Sequence, residues 1–320
     1  MPLVTVRVPA TSANLGPGFD CMGIALDLWN TFELHQADVP GITVETHGEG
    51  ADVLPNDKSH LVVRTMIDEI AAFTPFDAHQ VAYRVVCHNN VPCGSGLGSS
   101  STATLAGLLF ANALRDPHGF RGQAGQVRTL EQAFEIEGHG DNIAPALLGG
   151  LVIVTGKDNS VVTHRIELPA MKVVVCVPSF YFMTSHARSV LPVHYSRADV
   201  VFNIGRAMLV LEALRSGDYG LLAKALDDRI HEPYRLPAIP GAIEAKRAAL
   251  ASGASAVSLS GAGPGMLAFA SGGHAAIGEA MQSAFAAAGL AARFWTLAVT
   301  TSGAEVASDS LEAGRPRVLI

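Results

Sequence analysis

The sequence predicts an α+β fold in two halves, and three observations predict it. A strand, a glycine-rich loop and an alanine- and leucine-rich helix follow one another over residues 81–114. A second glycine loop, Ser260-Gly-Ala-Gly-Pro-Gly265, sits between two short apolar runs. Elsewhere strands and helices alternate without the regular beat of a doubly wound sheet. The expected halves are residues 1–160 and 161–320, with no internal repeat of about 20 to 50 residues.

Composition narrows the function classes. With 320 residues, 49% hydrophobic and 16% charged, the chain reads as globular and not disordered. The net charge is −7 and no run of lysine and arginine stands out, so no nucleic-acid surface is expected. No apolar stretch approaches the ~20 residues that a membrane span needs. The start, Met-Pro-Leu-Val-Thr-Val-Arg, lacks the basic and apolar regions of a secretory signal. A cytoplasmic location is the expectation. Cys21, Cys87, Cys93 and Cys176 form no C-x-x-C pair and read as reduced, mostly buried residues.

Residues 3–8 read as a strand that Pro9 ends. Residues 10–20, Ala-Thr-Ser-Ala-Asn-Leu-Gly-Pro-Gly-Phe-Asp, are turn chemistry rich in small polar groups; they read as a ligand-facing loop or as a plain turn. A long strand over 23–35 completes a hairpin. Residues 42–47 form a strand, 48–56 a loop, and 58–73 a helix with Leu61, Val62, Met66 and Ile70 as its apolar positions. The strand 81–87 precedes the glycine loop and the helix 103–114 follows it. A surface loop over 115–126 leads to a helix over 127–137. Gly-His-Gly-Asp-Asn at 138–142 breaks that helix, and 144–150 turn into a strand over 151–155. The second half opens with strands at 161–168 and 171–177, a loop over 178–193, and helices near 197–216, 218–230 and 240–251. Strands at 256–259 and 266–270 flank the second glycine loop, and a helix over 274–288 and a strand over 292–299 follow.

The densest chemistry lies at 91–104, Val-Pro-Cys-Gly-Ser-Gly-Leu-Gly-Ser-Ser-Ser-Thr-Ala-Thr. Gly94, Gly96 and Gly98 permit positive φ and close approach to the main chain. Ser99, Ser100, Ser101 and Thr102 fall where N-caps fall, beside the unpaired N–H groups of a helix start. Aligned peptide dipoles place about half a positive charge there. The pattern is a phosphate cradle. It is not a Walker A loop, because no lysine occurs between Lys58 and Lys157. It is not a Rossmann fingerprint, because Ser99 stands where the third glycine belongs.

A phosphotransferase also needs a carboxylate for Mg²⁺ and groups to hold the acceptor. Glu131 and Glu137 lie on one expected helix, with His139, Asp141 and Asn142 just after it. Arg188 and Arg235 could each bind an acceptor carboxylate through two parallel hydrogen bonds.

Taken together, three stretches resemble motifs of the GHMP kinase superfamily: Pro9 to Asp20, Pro92 to Thr102, and Ser260 to Pro264. Within it the homoserine kinase branch is the nearest likeness. Its marks are Ser-Ala-Asn-Leu-Gly-Pro-Gly-Phe-Asp at 12–20, His-x-Asp-Asn with Ala-Pro-Ala and Gly-Gly at 139–150, Ala-Arg-x-x-Leu-Pro at 187–192 and Pro-Tyr-Arg at 233–235. The resemblance implies the GHMP kinase fold, with an N-terminal ribosomal-protein-S5-like domain and a ferredoxin-like C-terminal domain. It implies ATP-dependent, Mg²⁺-assisted phosphorylation of the side-chain hydroxyl of L-homoserine, a step of threonine biosynthesis. On that reading Pro92, Cys93, Gly94, Ser95, Gly96, Leu97, Gly98, Ser99, Ser100, Ser101 and Thr102 hold the ATP phosphates. Asp20 meets the acceptor's ammonium group, Arg188 and Arg235 its carboxylate, and His139 lies beside them. Asn142, Asn14 and Thr184 are the implied catalytic positions, with Asn142 near the reacting hydroxyl. Glu131 and Ser99 are the implied metal ligands, and Glu137 fits a second spacing. The branch has no obvious general base, so positioning and charge neutralisation are expected to dominate. The chain departs from the pattern at Gly140 and at Ser101-Thr102. Two other readings stand beside this one: a GHMP kinase for a mevalonate-like or sugar acceptor, and a nucleotide-binding regulator without turnover. Small-molecule substrates are the expected partners, with a homodimer the commonest soluble assembly.

Overall fold

A computed structural model describes residues 1–73, 81–116, 122–157 and 160–308. β1 (Val4–Ala13) and β2 (Met22–Gln36) form the long antiparallel hairpin. Pro9 does not end β1. The pairing with β2 slips between Pro9 and Ala10, so the residue without an N–H sits at a bulge where the ladder is already interrupted. Of the expected turn only residues 14–20 leave the strands, with Cys21 after them.

β3 (Gly41–Gly48) pairs in parallel with β4 (Ala82–Asn89), and β4 pairs with the far half of β2. β5 (Leu151–Lys157) pairs with the near end of β2 and with β6 (Ser160–Ile166). A strand that was not expected, β11 (Glu305–Ala307), closes the edge on β1. The first sheet thus draws on chain beyond residue 160.

α1 (Leu61–Ala71), α2 (Ser99–Arg115), α3 (Gln123–Glu137) and α4 (Ile143–Leu148) follow the strands of this half. Val6, Phe32, Leu34 and Val85 of the sheet meet Val62, Met66, Leu109, Phe110 and Ile143 in one core. α1 starts at Leu61 because His60 accepts the Val62 N–H. α2 starts at Ser99, earlier than the expected 103. α4 stands where a turn was expected; Pro145 falls in its first turn, where a missing N–H is harmless. Part of the expected loop 115–126, residues 117–121, lies outside the described residues.

The second sheet is antiparallel in the order β10 (Ala292–Ala298), β7 (Lys172–Pro178), β9 (Met266–Phe269), β8 (Ala256–Leu259). That order is ferredoxin-like. β7 shows the strand period of two: Val173, Val175 and Val177 enter one core, Val174 and Cys176 another. The first of these cores also takes Leu15, Ile24, Leu26 and Leu97 from the N-terminal half, with Val210 and Leu214 of α6 (Arg197–Ser216) and Leu222 of α7 (Tyr219–Ala225). Each such side chain stabilises by roughly 1.5–3 kcal/mol when buried, so shared core joins the halves. The other core lies under α9 (Ala242–Ala251) and α10 (His274–Ala287).

Two more expectations are corrected here. The loop 178–193 contains α5 (Thr184–Ser189). The helix expected over 218–230 stops at Ala225, because Asp228 takes up the N–H groups of Ile230, His231 and Glu232 and so starts α8 (Glu232–Arg235). Cys87 and Cys176 are buried, and burial pushes both thiols up to about 12; Cys21 and Cys93 are exposed, against the expectation. Among the described residues no helix is long and apolar enough to cross a membrane.

Candidate active site

The glycine loop is shaped by what touches it. Gly94, Gly96 and Gly98 take φ of 62°, 79° and 72°. A Cβ on Gly96 would lie 2.1 Å from the Ser260 carbonyl oxygen, and one on Gly98 would lie 2.2 Å from Thr11 Oγ1. The loop is clamped between the first motif and the second glycine loop. Thr11 N–H donates to Leu97 O (3.1 Å) and Gly265 N–H to Ser95 O (3.0 Å). Ser260 Oγ lies 2.7 Å from Gly96 O and 2.8 Å from Ser12 Oγ. Gly96→Ala should therefore abolish nucleotide binding in calorimetric titration and lower the melting temperature, since backbone atoms cannot yield as a flexible side chain can. Wild-type binding by that variant would show that the clamp does not set the loop.

The hydroxyls do not cap α2. Its N-cap is Gly98 and no side chain caps it, so the N–H groups of Ser99, Ser100 and Ser101 are left for a ligand. Several hydroxyls work inside the protein. Ser95 Oγ donates to Pro92 O (2.6 Å), and Thr102 Oγ1 donates to Ser99 O (2.8 Å) while accepting from Asn30 (2.9 Å). Pro92, Leu97 and Thr102 are buried and do not line the cleft. Cys93, Gly94, Ser95, Gly96, Gly98, Ser99, Ser100 and Ser101 do.

The cleft has a volume of about 580 Å³. One part of its wall is charged. Asn14, Leu15 and Asp20 take positive φ of 72°, 48° and 54°, and such strain gathers at functional sites. Asn14 Nδ2 donates to Gly261 O (2.7 Å) and its Oδ1 accepts the Asp20 N–H (2.9 Å). α5 sets Thr184 at its first residue and Arg188 one turn later. Arg188 grips Asp20 with two hydrogen bonds, 2.9 and 3.0 Å. Arg235 is 2% exposed, donates from Nε to Ala187 O (3.0 Å), and lies over the Phe19 ring.

A second group gathers at the end of α3. Asn142 Oδ1 accepts from Thr11 Oγ1 (2.8 Å). His139 Nδ1 pairs with Asp141 Oδ1 at 2.7 Å. Burial alone would lower the His139 pKa, but the Asp141 hydrogen bond and the Asp141 and Glu137 charges outweigh it and raise it. Burial pushes the Glu137 carboxyl up, against the Ser101 hydrogen bond at 2.8 Å. The other oxygen of Glu137, Oε1, is buried without a partner. Glu131 is not with them. It borders a shallow depression with Gln123, Val127 and Arg128, away from the cleft wall. Of the two carboxylates it is Glu137 that the fold brings to the loop.

The sequence did not point to a third group on the wall, which includes His60, Leu61, Arg64, Phe32, Leu54 and Asn89. His60 Nε2 and Asn89 Oδ1 are buried without partners. The available signal was a polar residue inside an apolar helix start and another at a strand end.

Residues 60–150 match the model of the GHMP kinases N terminal domain, and residues 210–287 match that of the GHMP kinases C terminal. The homoserine kinase of Moorella thermoacetica is 39% identical over 96% of this chain and 100% of its own length. The chain belongs to the homoserine kinase family of GHMP kinases. Another homoserine kinase, from Synechococcus sp., is 40% identical over 96% of this chain and 99% of its own. The crystal structure of homoserine kinase from Cytophaga hutchinsonii matches with a TM-score of 0.82 at 29% identity, over 96% of this chain and 98% of that one. The GHMP kinase fold expected from the motifs is the fold observed.

Proposed function

We propose that the chain transfers the γ-phosphoryl group of ATP to the side-chain hydroxyl of L-homoserine, giving ADP and O-phospho-L-homoserine. The observation that carries this is the Asp20–Arg188 pair on the wall of the cleft that holds the phosphate loop. A free amino acid presents an ammonium and a carboxylate on one carbon. Each of the paired side chains can exchange its partner for the substrate group of the same sign: Asp20 takes the ammonium, Arg188 and Arg235 the carboxylate. A mevalonate-like or sugar acceptor has no ammonium for Asp20.

The N–H groups of Ser99, Ser100 and Ser101 support the phosphates. Glu137 fits a Mg²⁺ ion, because its unpartnered oxygen is buried and a buried carboxylate calls for a cation. Glu137 and Ser99 would hold the ion, which neutralises phosphate charge when bound. Asn142 and Asn14 orient the acceptor hydroxyl, and Thr184 and His139 close the wall around it. Asp141 is engaged by His139, so positioning and electrostatics, not a side-chain base, carry the reaction. Threonine biosynthesis in the cytoplasm is the setting this reaction implies.

The nucleoside belongs on Phe32, Leu54 and Leu61. His60 Nδ1 accepts the Val62 N–H, so its Nε2 carries the proton and offers the base a donor. Burial lowers the His60 pKa and keeps the ring neutral. His60→Asn keeps the cap through its Oδ1 but places no donor where Nε2 stands, so it should raise the ATP KM about tenfold. His60→Leu, which also loses the cap, should raise it at least as much. An ATP KM unchanged in His60→Asn would remove His60 from the base site. The reaction itself is tested by ADP release over L-homoserine, mevalonate and sugars; turnover of another acceptor with none on homoserine overturns the proposal.

A further inference from the structure

The acceptor wall rests on a buried polar cluster from the C-terminal half. Asn203, Asp228 and His231 are 6%, 5% and 0% exposed. Asp228 Oδ1 accepts from Asn203 Nδ2 (2.8 Å) and the Ile230 N–H (3.1 Å), and Oδ2 accepts from the His231 and Glu232 N–H groups (2.8 and 2.7 Å). Asn203 also donates to Pro17 O (3.3 Å) and accepts the Arg229 N–H (2.9 Å). The carboxylate is saturated, and the backbone on both sides of His231 is fixed.

Within this cluster His231 touches both sides of the acceptor site. Its Nε2 lies 2.9 Å from Gly16 O, in the loop that carries Asp20, and its Nδ1 lies 3.4 Å from an Arg235 terminal nitrogen. Its ring stacks on Phe19 at 5.1 Å, and the Arg235 guanidinium lies over the same Phe19 ring, also at 5.1 Å. A carbonyl oxygen only accepts, so Nε2 carries the proton. A guanidinium only donates, so Nδ1 keeps its lone pair. A single tautomer satisfies both contacts, and no other state of the ring does.

We infer that His231, as the Nε2–H tautomer, is a positioning residue for acceptor recognition: it sets the Asp20 loop and the Arg235 guanidinium in one fixed relation. Asp20 and Arg235 come from distant parts of the chain, and a shared imidazole removes the freedom to drift apart. The inference rests on the reading of Asp20 and Arg235 as the acceptor's charge partners. A merely structural histidine would, when lost, disturb both substrates alike.

His231→Phe keeps the ring and its stack but neither polar atom. It should raise the homoserine KM about tenfold, the order of one buried hydrogen bond, and leave the ATP KM unchanged. His231→Leu is read the same way should the Phe variant not fold. In the wild-type enzyme, carbon and nitrogen chemical shifts of the His231 ring should report Nε2–H, which needs no variant. An unchanged homoserine KM, an equal rise for ATP, or the Nδ1–H tautomer overturns the inference. Wild-type enzyme that leaves homoserine untouched overturns the proposed function instead.

Discussion

Glu137→Gln is expected to lower kcat by about 100-fold or more, the usual loss when one preorganised electrostatic partner is removed. Glu131→Gln should leave kcat unchanged. The Gln side chain keeps the shape and can still accept the Ser101 hydrogen bond, so the change isolates charge. The pH dependence has a definite sign. Burial raises the Glu137 pKa, so as pH falls the carboxyl takes its proton above the ordinary carboxylate range and loses its hold on a cation. The acid limb of the rate profile should lie correspondingly high and move to lower pH as Mg²⁺ is raised, since ion and proton compete. For stability the sign is reversed from a salt-bridged acid: the folded state binds the proton more tightly than the unfolded one, so Glu137 weakens the fold as pH rises through its folded-state pKa. Rate profiles at two Mg²⁺ concentrations and melting curves across pH check both. An acid limb that survives Glu137→Gln would mean another group is being titrated.

The choice between the two glutamates shows where sequence reasoning stops. Both were visible on one helix. Residues 131 and 137 are six positions apart, and at about 100° per residue their side chains point roughly 120° apart around the axis. Only the packing of α3 against α2 decides which faces the loop, and that is a tertiary fact. The glycine loop was legible because glycine and hydroxyl residues crowd one strand-to-helix junction. Its clamps were not, because Ser260 and Thr11 reach it from the far ends of the chain. The same limit explains Pro9. A proline in a strand reads as a stop, and the slip in β2 that accommodates it is written in the partner strand. The short helices α4 and α5, six residues each, carry too little periodicity to separate from turns. His60 and His231 were hidden for another reason. A histidine has two ring nitrogens, and its chemistry is set by which one the surroundings occupy.

Arg188→Ala and Arg235→Ala are expected to raise the homoserine KM by roughly ten- to 100-fold each, the worth of charge-assisted hydrogen bonds of about 1.5–3 kcal/mol, with the ATP KM unchanged. Their effects on stability should differ. Arg188 and Asp20 have side chains 39% and 32% exposed, and a pair so open to water adds little, about 0–1 kcal/mol. Arg188→Ala should melt close to wild type. Arg235 is buried, with its donors on Ala187 O and His231 Nδ1, and truncation strands both acceptors away from water. That variant should be less stable by about 1–3 kcal/mol per stranded group and melt at a lower temperature. Arg235→Lys restores charge without the planar fork and should recover little of the KM. The substrate supplies the control. 3-Amino-1-propanol is homoserine without its carboxylate. It should be a poor acceptor for the wild type and no poorer for either arginine variant, because the group that the arginines hold is already gone. If it suffers in the variants as homoserine does, the arginines act on something other than the carboxylate. If instead the ATP KM rises with the homoserine KM, they belong to the nucleotide, and the division of the cleft into an acceptor wall and a phosphate loop is wrong.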